Sequence, residues 1–182
     1  DYGSGNILSA QKSFIKVARD NNLEAKVIIS NNLSDIKNSS HIVLPGQGAF
    51  NTCMNGLKNT QGLIDELYEF ALIKKKPFLG ICVGMQMLAN ISEENGIHKG
   101  LGWIDGKIKR LPGENLKLPH MGWNEVIPRN SIHNNLISTK DDYYFVHSYY
   151  FDCDDDNNIL AETKYGINFP SIVGKENIYG VQ

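Results

Sequence analysis

Several things are scarce in this sequence. Its 182 residues hold three cysteines, Cys53, Cys82 and Cys153. They lie far apart and form no Cys-x-x-Cys pair. That excludes a zinc ribbon and a disulfide scaffold, and allows at most one reactive thiol. Such sparing use fits a reducing compartment, so a cytoplasmic location is expected. No apolar run approaches the ~20 residues that cross a bilayer, so no membrane partner is expected. An excess of positive charge is also missing. Lys and Arg number 18 against 20 Asp and Glu, for a formal net charge of −2. A surface that grips nucleic acid is usually clearly basic, so nucleic acid is not an expected partner. There is no Gly-x-x-x-x-Gly-Lys phosphate loop, internal repeat or low-complexity linker. Asp152, Asp154, Asp155 and Asp156 lack the glycine and distal glutamate of a calcium loop and read as a solvated turn. The expectation is no metal and no cofactor.

What is present is ordinary for a globular enzyme: 41% hydrophobic and 21% charged residues,. The length suits a single domain over residues 1–182, large enough for its own core. The sequence starts at Asp1, and Ile178 to Gln182 opens a strand and stops. The domain is therefore expected to be truncated at both ends.

The first half alternates strand and helix patterns. Ile7, Ala10, Phe14, Val17 and Ala18 recur at helical spacing behind Asn6, an N-cap residue type. Ala25 to Ile29 and His41 to Leu44 read as strands. Leu63 to Ile73 reads as an amphipathic helix ending in Lys74, Lys75 and Lys76, and Pro77 to Ile81 as a third strand. This alternation predicts a parallel sheet covered on both faces. In the second half, Leu101 to Leu111, Trp123 to Ile127, Tyr143 to Phe151, Ile159 to Thr163 and Ile167 to Val173 read as strands. Turn residues separate them, which predicts an antiparallel extension.

The chemistry concentrates after the third strand. Phe78-Leu79-Gly80-Ile81-Cys82-Val83-Gly84-Met85-Gln86 runs an apolar strand into Gly-x-Cys-x-Gly and then into a helical pattern. This is the cysteine form of a nucleophile elbow. Two glycines let the backbone turn sharply and push the Cys82 side chain out. A helix N-terminus would favour its thiolate, the species acyl transfer needs. Read as packing alone, Cys82 would be an inert thiol between two close-packed glycines. Gln86 lies four residues on, sharing a helix face with the sulfur. Pro45-Gly46-Gln47-Gly48 follows the neighbouring strand. Its backbone N–H groups, with that of Val83, could form an oxyanion hole. Sites in such sheets gather at the C-terminal ends of the strands.

These segments resemble the class I glutamine amidotransferases, and within that class the glutaminase subunits of imidazole glycerol phosphate synthases. The resemblance extends over Asp1-Tyr2-Gly3-Ser4-Gly5-Asn6, Gly100-Leu101-Gly102, Pro119-His120-Met121-Gly122-Trp123-Asn124, Phe145-Val146-His147-Ser148-Tyr149 and Tyr179-Gly180-Val181-Gln182. It implies a three-layer, flavodoxin-like α/β fold with a mostly parallel central sheet and an antiparallel extension. It implies hydrolysis of glutamine to glutamate and ammonia through a Cys82 thioester, with Gln47, Gly48 and Val83 serving the oxyanion. It implies that Gln86, Glu94, Ser148 and Tyr149 hold the substrate. The implied partner is a (β/α)8 barrel cyclase, joined as a heterodimer, that receives the ammonia in histidine biosynthesis. Asn6, Pro119, Met121 and Trp123 are the positions expected at that interface.

Two departures stand out. The family's base and orienter sit in a His-Pro-Glu motif after Gly-Val-Gln, and here Gly180-Val181-Gln182 closes the sequence. None of His41, His98, His120, His133 and His147 lies in a matching motif. His147 reads as a packed strand histidine rather than a base. The 182 residues alone are therefore expected to show little or no glutaminase activity. Gln47 stands where the family usually carries valine. Two alternatives remain open at this point. One is a homologous subunit that supplies ammonia for amidination of a surface sugar. The other is a catalytically dead docking module, against which the intact elbow argues.

Overall fold

The computed structural model describes residues 1–113, 116–129, 136–137 and 139–182. His133 lies outside them. Among the described residues a seven-stranded sheet carries the fold. It comprises β1 (Ile42–Gly46), β2 (Phe78–Cys82), β6 (His120–Pro128), β7 (Asp141–His147), β9 (Ile159–Tyr165), β10 (Ile167–Lys175) and β11 (Ile178–Val181). Their order is β1-β2-β11-β10-β9-β6-β7. β1, β2 and β11 run parallel, and the other four join antiparallel. The sheet is mixed, and its antiparallel extension is the wider part. A smaller sheet, in the order β4-β3-β5-β8, joins β3 (Ile91–Ser92), β4 (His98–Lys99), β5 (Gly106–Arg110) and β8 (Tyr149–Cys153).

The helices are α1 (Ile7–Asp20), α2 (Leu33–Asn38), α3 (Phe50–Asn59), α4 (Leu63–Tyr68) and α5 (Val83–Gln86). Asn6 caps α1 by accepting from the Ser9 N–H at 3.2 Å. α4 continues into a widened turn over Glu69–Ile73, closed by the Lys74 N–H on the Glu69 carbonyl five residues back at 2.9 Å,. Phe50, Cys53, Met54 and Leu57 of α3 and Leu63, Leu67, Phe70 and Ala71 of the α4 run pack with Leu44, Phe78 and Met85 in the main core. A second core joins Leu111, Val126, Phe145, Leu160 and Phe169 under the extension. Each fully buried phenylalanine contributes about 2 kcal/mol of transfer free energy.

Three expectations are corrected. Ala25 to Ile29 forms no ladder. The Val27 carbonyl is taken instead by a side chain, Gln11 Nε2, at 3.0 Å. Leu101 to Leu111 is a strand only from Gly106. The N–H groups of Leu101, Gly102 and Trp103 are spent on the carbonyls of Met87, Ala89 and Leu88, which end the elbow helix. Tyr143 to Phe151 breaks at Ser148, where the chain leaves the large sheet for the small one. The helix expected from Ile7 forms as α1. Only Ala18 is buried, and Phe14 and Val17 border a cleft.

Candidate active site

Cys82 sits where β2 turns into α5, with φ +55° and ψ −115°. A non-glycine residue in that region costs about 1–3 kcal/mol and persists only where its surroundings enforce it. Glycines supply the enforcement. A Cβ on Gly84 would lie 1.8 Å from the Leu44 carbonyl oxygen, and one on Gly80 2.5 Å from the Gly84 carbonyl oxygen. A Cβ on Gly46 would lie 2.7 Å from the Gly84 nitrogen. The backbones of β1, β2 and α5 therefore touch directly. Gly46 pairs with Cys82 in the parallel register, which brings the Gln47-Gly48 turn beside the sulfur.

A cleft of about 1010 Å³ opens over this junction. Cys82, Gln47, Gly48, Val83, Gln86, Glu94, Ser148 and Tyr149 all line it, as do Asn6 and Pro119. Met121 and Trp123 do not. They stand 61% and 72% exposed on β6, with Trp123 edge-on to Tyr144 at 5.6 Å.

The electrostatics correct one expectation. Burial pushes the Cys82 thiol above its ordinary value, and the Val83 N–H and the Gln182 side-chain amide oppose that only in part. The Gln182 Nε2 lies 3.7 Å from the sulfur. α5 is a single turn, and burial of the sulfur at its start outweighs the N–H that faces it,.

Gln47 is held by its backbone. Its carbonyl accepts from Ser4 Oγ at 2.9 Å and from Cys53 Sγ at 3.4 Å, and its N–H lies 3.5 Å from Ser4 Oγ. Gly48 takes φ +90°, a conformation suited to glycine,. One Glu94 oxygen accepts from the Phe50 N–H at 2.8 Å, capping α3, whose Ala49 cap position offers no side-chain acceptor. Gln86 is buried, and its Nε2 donates to the Tyr149 carbonyl at 3.3 Å and to Gln182 Oε1 at 3.0 Å.

His147 also lines the cleft, but both its ring nitrogens are engaged. Nδ1 meets the Tyr149 carbonyl at 2.9 Å and Nε2 meets His120 Nδ1 at 2.9 Å. Neither is free to take a proton from Cys82. Among the described residues no group of three or more His, Cys, Asp or Glu could hold a metal ion. No helix among them is long and apolar enough to cross a membrane. The aspartate cluster forms a turn in which Asp155 accepts from the Asn157 N–H at 2.9 Å.

Residues 5–182 match the family described as glutamine amidotransferase class-I. The chain belongs to that family.

Known proteins sharpen the placement of this amidotransferase. It is 45% identical over 185 residues to a Pelagibacter ubique protein named imidazole glycerol phosphate synthase subunit HisH, covering 100% of this chain and 88% of the relative. A Rhodospirillum rubrum protein of the same name is 41% identical, with 100% and 87% covered. Among solved structures, a glutamine amidotransferase superposes with a TM-score of 0.70 at 15% identity, covering 98% of this chain and 84% of that one. This shows the class I amidotransferase fold. Sequence reasoning missed several cleft elements of this amidotransferase. Ser4 and Cys53 secure Gln47, and Cys53 carried no sequence signal of that contact. Ser9, Ser13 and Phe14 of α1 also line the cleft, a placement that helical periodicity does not show.

Proposed function

We propose that this chain is the glutaminase subunit of an imidazole glycerol phosphate synthase, hydrolysing glutamine through Cys82. The observation that carries the reading is the strained Cys82 backbone, locked by Gly46, Gly80 and Gly84 at the floor of a cleft. The family match and the 45% identity to a HisH subunit support it.

In this mechanism the Cys82 sulfur attacks the side-chain carboxamide carbon of glutamine. The C–N bond breaks, ammonia leaves with an added proton, and a thioester to Cys82 remains. Water then attacks the thioester, releases glutamate and returns the thiol. The Val83 N–H faces the sulfur already, so it is suited to the developing oxyanion,. Gln47 and Gly48 would complete the hole, which requires the Gln47 N–H to exchange its Ser4 contact for the oxyanion. Gln86, Ser148 and Tyr149 would hold the substrate amide and backbone, and Glu94 the α-ammonium. The raised thiol needs a base to ionise it, and the resemblance assigns that base to the His-Pro-Glu motif after Gly-Val-Gln.

The ammonia acceptor belongs to the partner, a (β/α)8 barrel cyclase in a cytoplasmic heterodimer. Exposed Met121 and Trp123, with Asn6 and Pro119 at the cleft edge, form the docking face in this reading. Amidination of a surface sugar would use the same glutaminase chemistry. Complementation separates the two. The full-length gene should restore growth without histidine to a strain lacking this subunit, and Cys82→Ala should not. Growth restored equally by Cys82→Ala would overturn the catalytic role, and no rescue by the active protein would favour the sugar acceptor.

A further inference from the structure

One polar assembly beside the cleft is not used by the mechanism above. His120 on β6 and His147 at the end of β7 are direct cross-strand partners. Both rings are buried, at 3% and 6% exposure. They sit in an aromatic box: Tyr165 stacks on His120 at 4.0 Å, Phe145 at 5.0 Å, and Phe169 lies 4.9 Å from His147.

The direction of every hydrogen bond in this assembly can be deduced. The Tyr149 carbonyl can only accept, so His147 Nδ1 carries the hydrogen across 2.9 Å,. In a neutral ring Nε2 is then an acceptor. It faces His120 Nδ1 at 2.9 Å, so that atom carries a hydrogen too,. His120 Nε2 is left as an acceptor, and Asn124 Nδ2 donates to it at 3.2 Å. The Asn124 amide is oriented by its own Oδ1, which takes the Glu125 N–H at 2.9 Å, and its Nδ2 also reaches the Lys164 carbonyl at 3.0 Å. Two neutral rings thus satisfy all the contacts, each donating from Nδ1. A proton added to either ring would set two N–H groups against each other. Burial supports the same state by pushing His147 down to about 4 and lowering His120 as well.

The chain of donors ends on the Tyr149 carbonyl, which also receives Gln86 Nε2 at 3.3 Å. This is the corner where the chain passes from one sheet to the other, and His147, Ser148 and Tyr149 line the cleft there.

We propose that His120 and His147 are positioning residues for glutamine, a neutral pair whose one-way hydrogen bonds fix the Ser148-Tyr149 corner against Gln86. The proposal rests on the glutaminase reading. It assigns the pair no proton transfer and no direct contact with the reacting atoms.

The test uses the full-length protein with its partner. His147→Phe fills the aromatic box but removes both hydrogen bonds, whereas His147→Asn keeps an N–H where Nδ1 stood. The Phe variant should raise the KM for glutamine about tenfold, the scale of one lost hydrogen bond, with kcat changed less than about threefold. The Asn variant should recover most of that loss. A KM within twofold of wild type in the Phe variant would overturn the proposal while leaving the glutaminase reading intact. Absence of glutamine hydrolysis in the wild-type complex would remove the glutaminase reading itself. Imidazole nitrogen NMR on the wild type needs no variant to fold. It should find both rings neutral and protonated at Nδ1 at pH 7, and an Nε2-protonated or charged His147 would overturn the proposal.

Discussion

On one wall of the cleft, around Cys82, three backbones meet with no side chain between them. On the other, around His147, side chains are strung together by directed hydrogen bonds. The glycine wall is held by exclusion: Gly46, Gly80 and Gly84 leave no room for a Cβ. The histidine wall is held by direction: Asn124, His120 and His147 each donate to the next acceptor. Steric interlock is indifferent to pH and intolerant of a single methyl group. A polar chain tolerates an isostere and fails when one proton is added. A site that combines both can keep its nucleophile rigid while its substrate wall depends on protonation.

The largest expected effect breaks the first wall. Gly84→Ala places a methyl group where the Leu44 carbonyl already stands, so the elbow must shift. It should cost about 3–5 kcal/mol of stability, measured by urea unfolding. Gly3→Ala is the contrast: φ is +81°, but no atom lies within 4 Å of the added Cβ. Only the backbone penalty applies there, about 1 kcal/mol.

Glu94 tests the substrate pocket. Glu94→Gln keeps an acceptor for the Phe50 N–H and removes the charge. The KM for glutamine should rise about 10- to 100-fold, the value of a charge-assisted hydrogen bond. Thermal unfolding should change little. An unchanged KM would count against Glu94 as the site of the α-ammonium.

Acid breaks the second wall. His147 is pushed down to about 4 from an ordinary 6.5, mainly by burial. Between those values the unfolded chain binds the proton that the folded chain refuses, so stability falls as pH drops from 6.5 toward 4. The loss from pH 7 to pH 5 should be about 2 kcal/mol in denaturant titrations. The His147→Phe variant should lose that part of the pH dependence. The smallest effect on folding belongs outside both walls. Trp123→Ala removes a ring that is 72% exposed, and stability should stay within about 0.5 kcal/mol,. Affinity for the cyclase partner should drop by about 2 kcal/mol or more in calorimetry if the ring anchors the interface.

The two walls also differ in how legible they were. The elbow could be read from Gly80-Ile81-Cys82-Val83-Gly84 because steric demands are local and glycine records them directly. Pro45-Gly46-Gln47-Gly48 was legible for the same reason. The histidine chain was not, because its members come from two strands and its meaning lies in their register. His120 and His147 are 27 residues apart and meet only because β6 and β7 pair. Ala25 to Ile29 looked like a strand because propensity cannot show whether a partner edge is available. The helix-terminus argument for Cys82 left out burial, which outweighs the Val83 N–H and raises the thiol, and the local pattern does not record burial. Phe14 and Val17 were legible as one face of a helix. That the face borders a cleft rather than core depends on what packs opposite, and the local pattern does not contain that.

The central claim is that Cys82 is the nucleophile. An electrophilic glutamine analogue, applied to the full-length protein with its partner and followed by peptide mass mapping, tests it most directly. The account predicts modification of Cys82 alone, sparing buried Cys53 and burial-raised Cys153, with protection by glutamine. Labelling spread over all three thiols, or falling on Cys53 first, would contradict it.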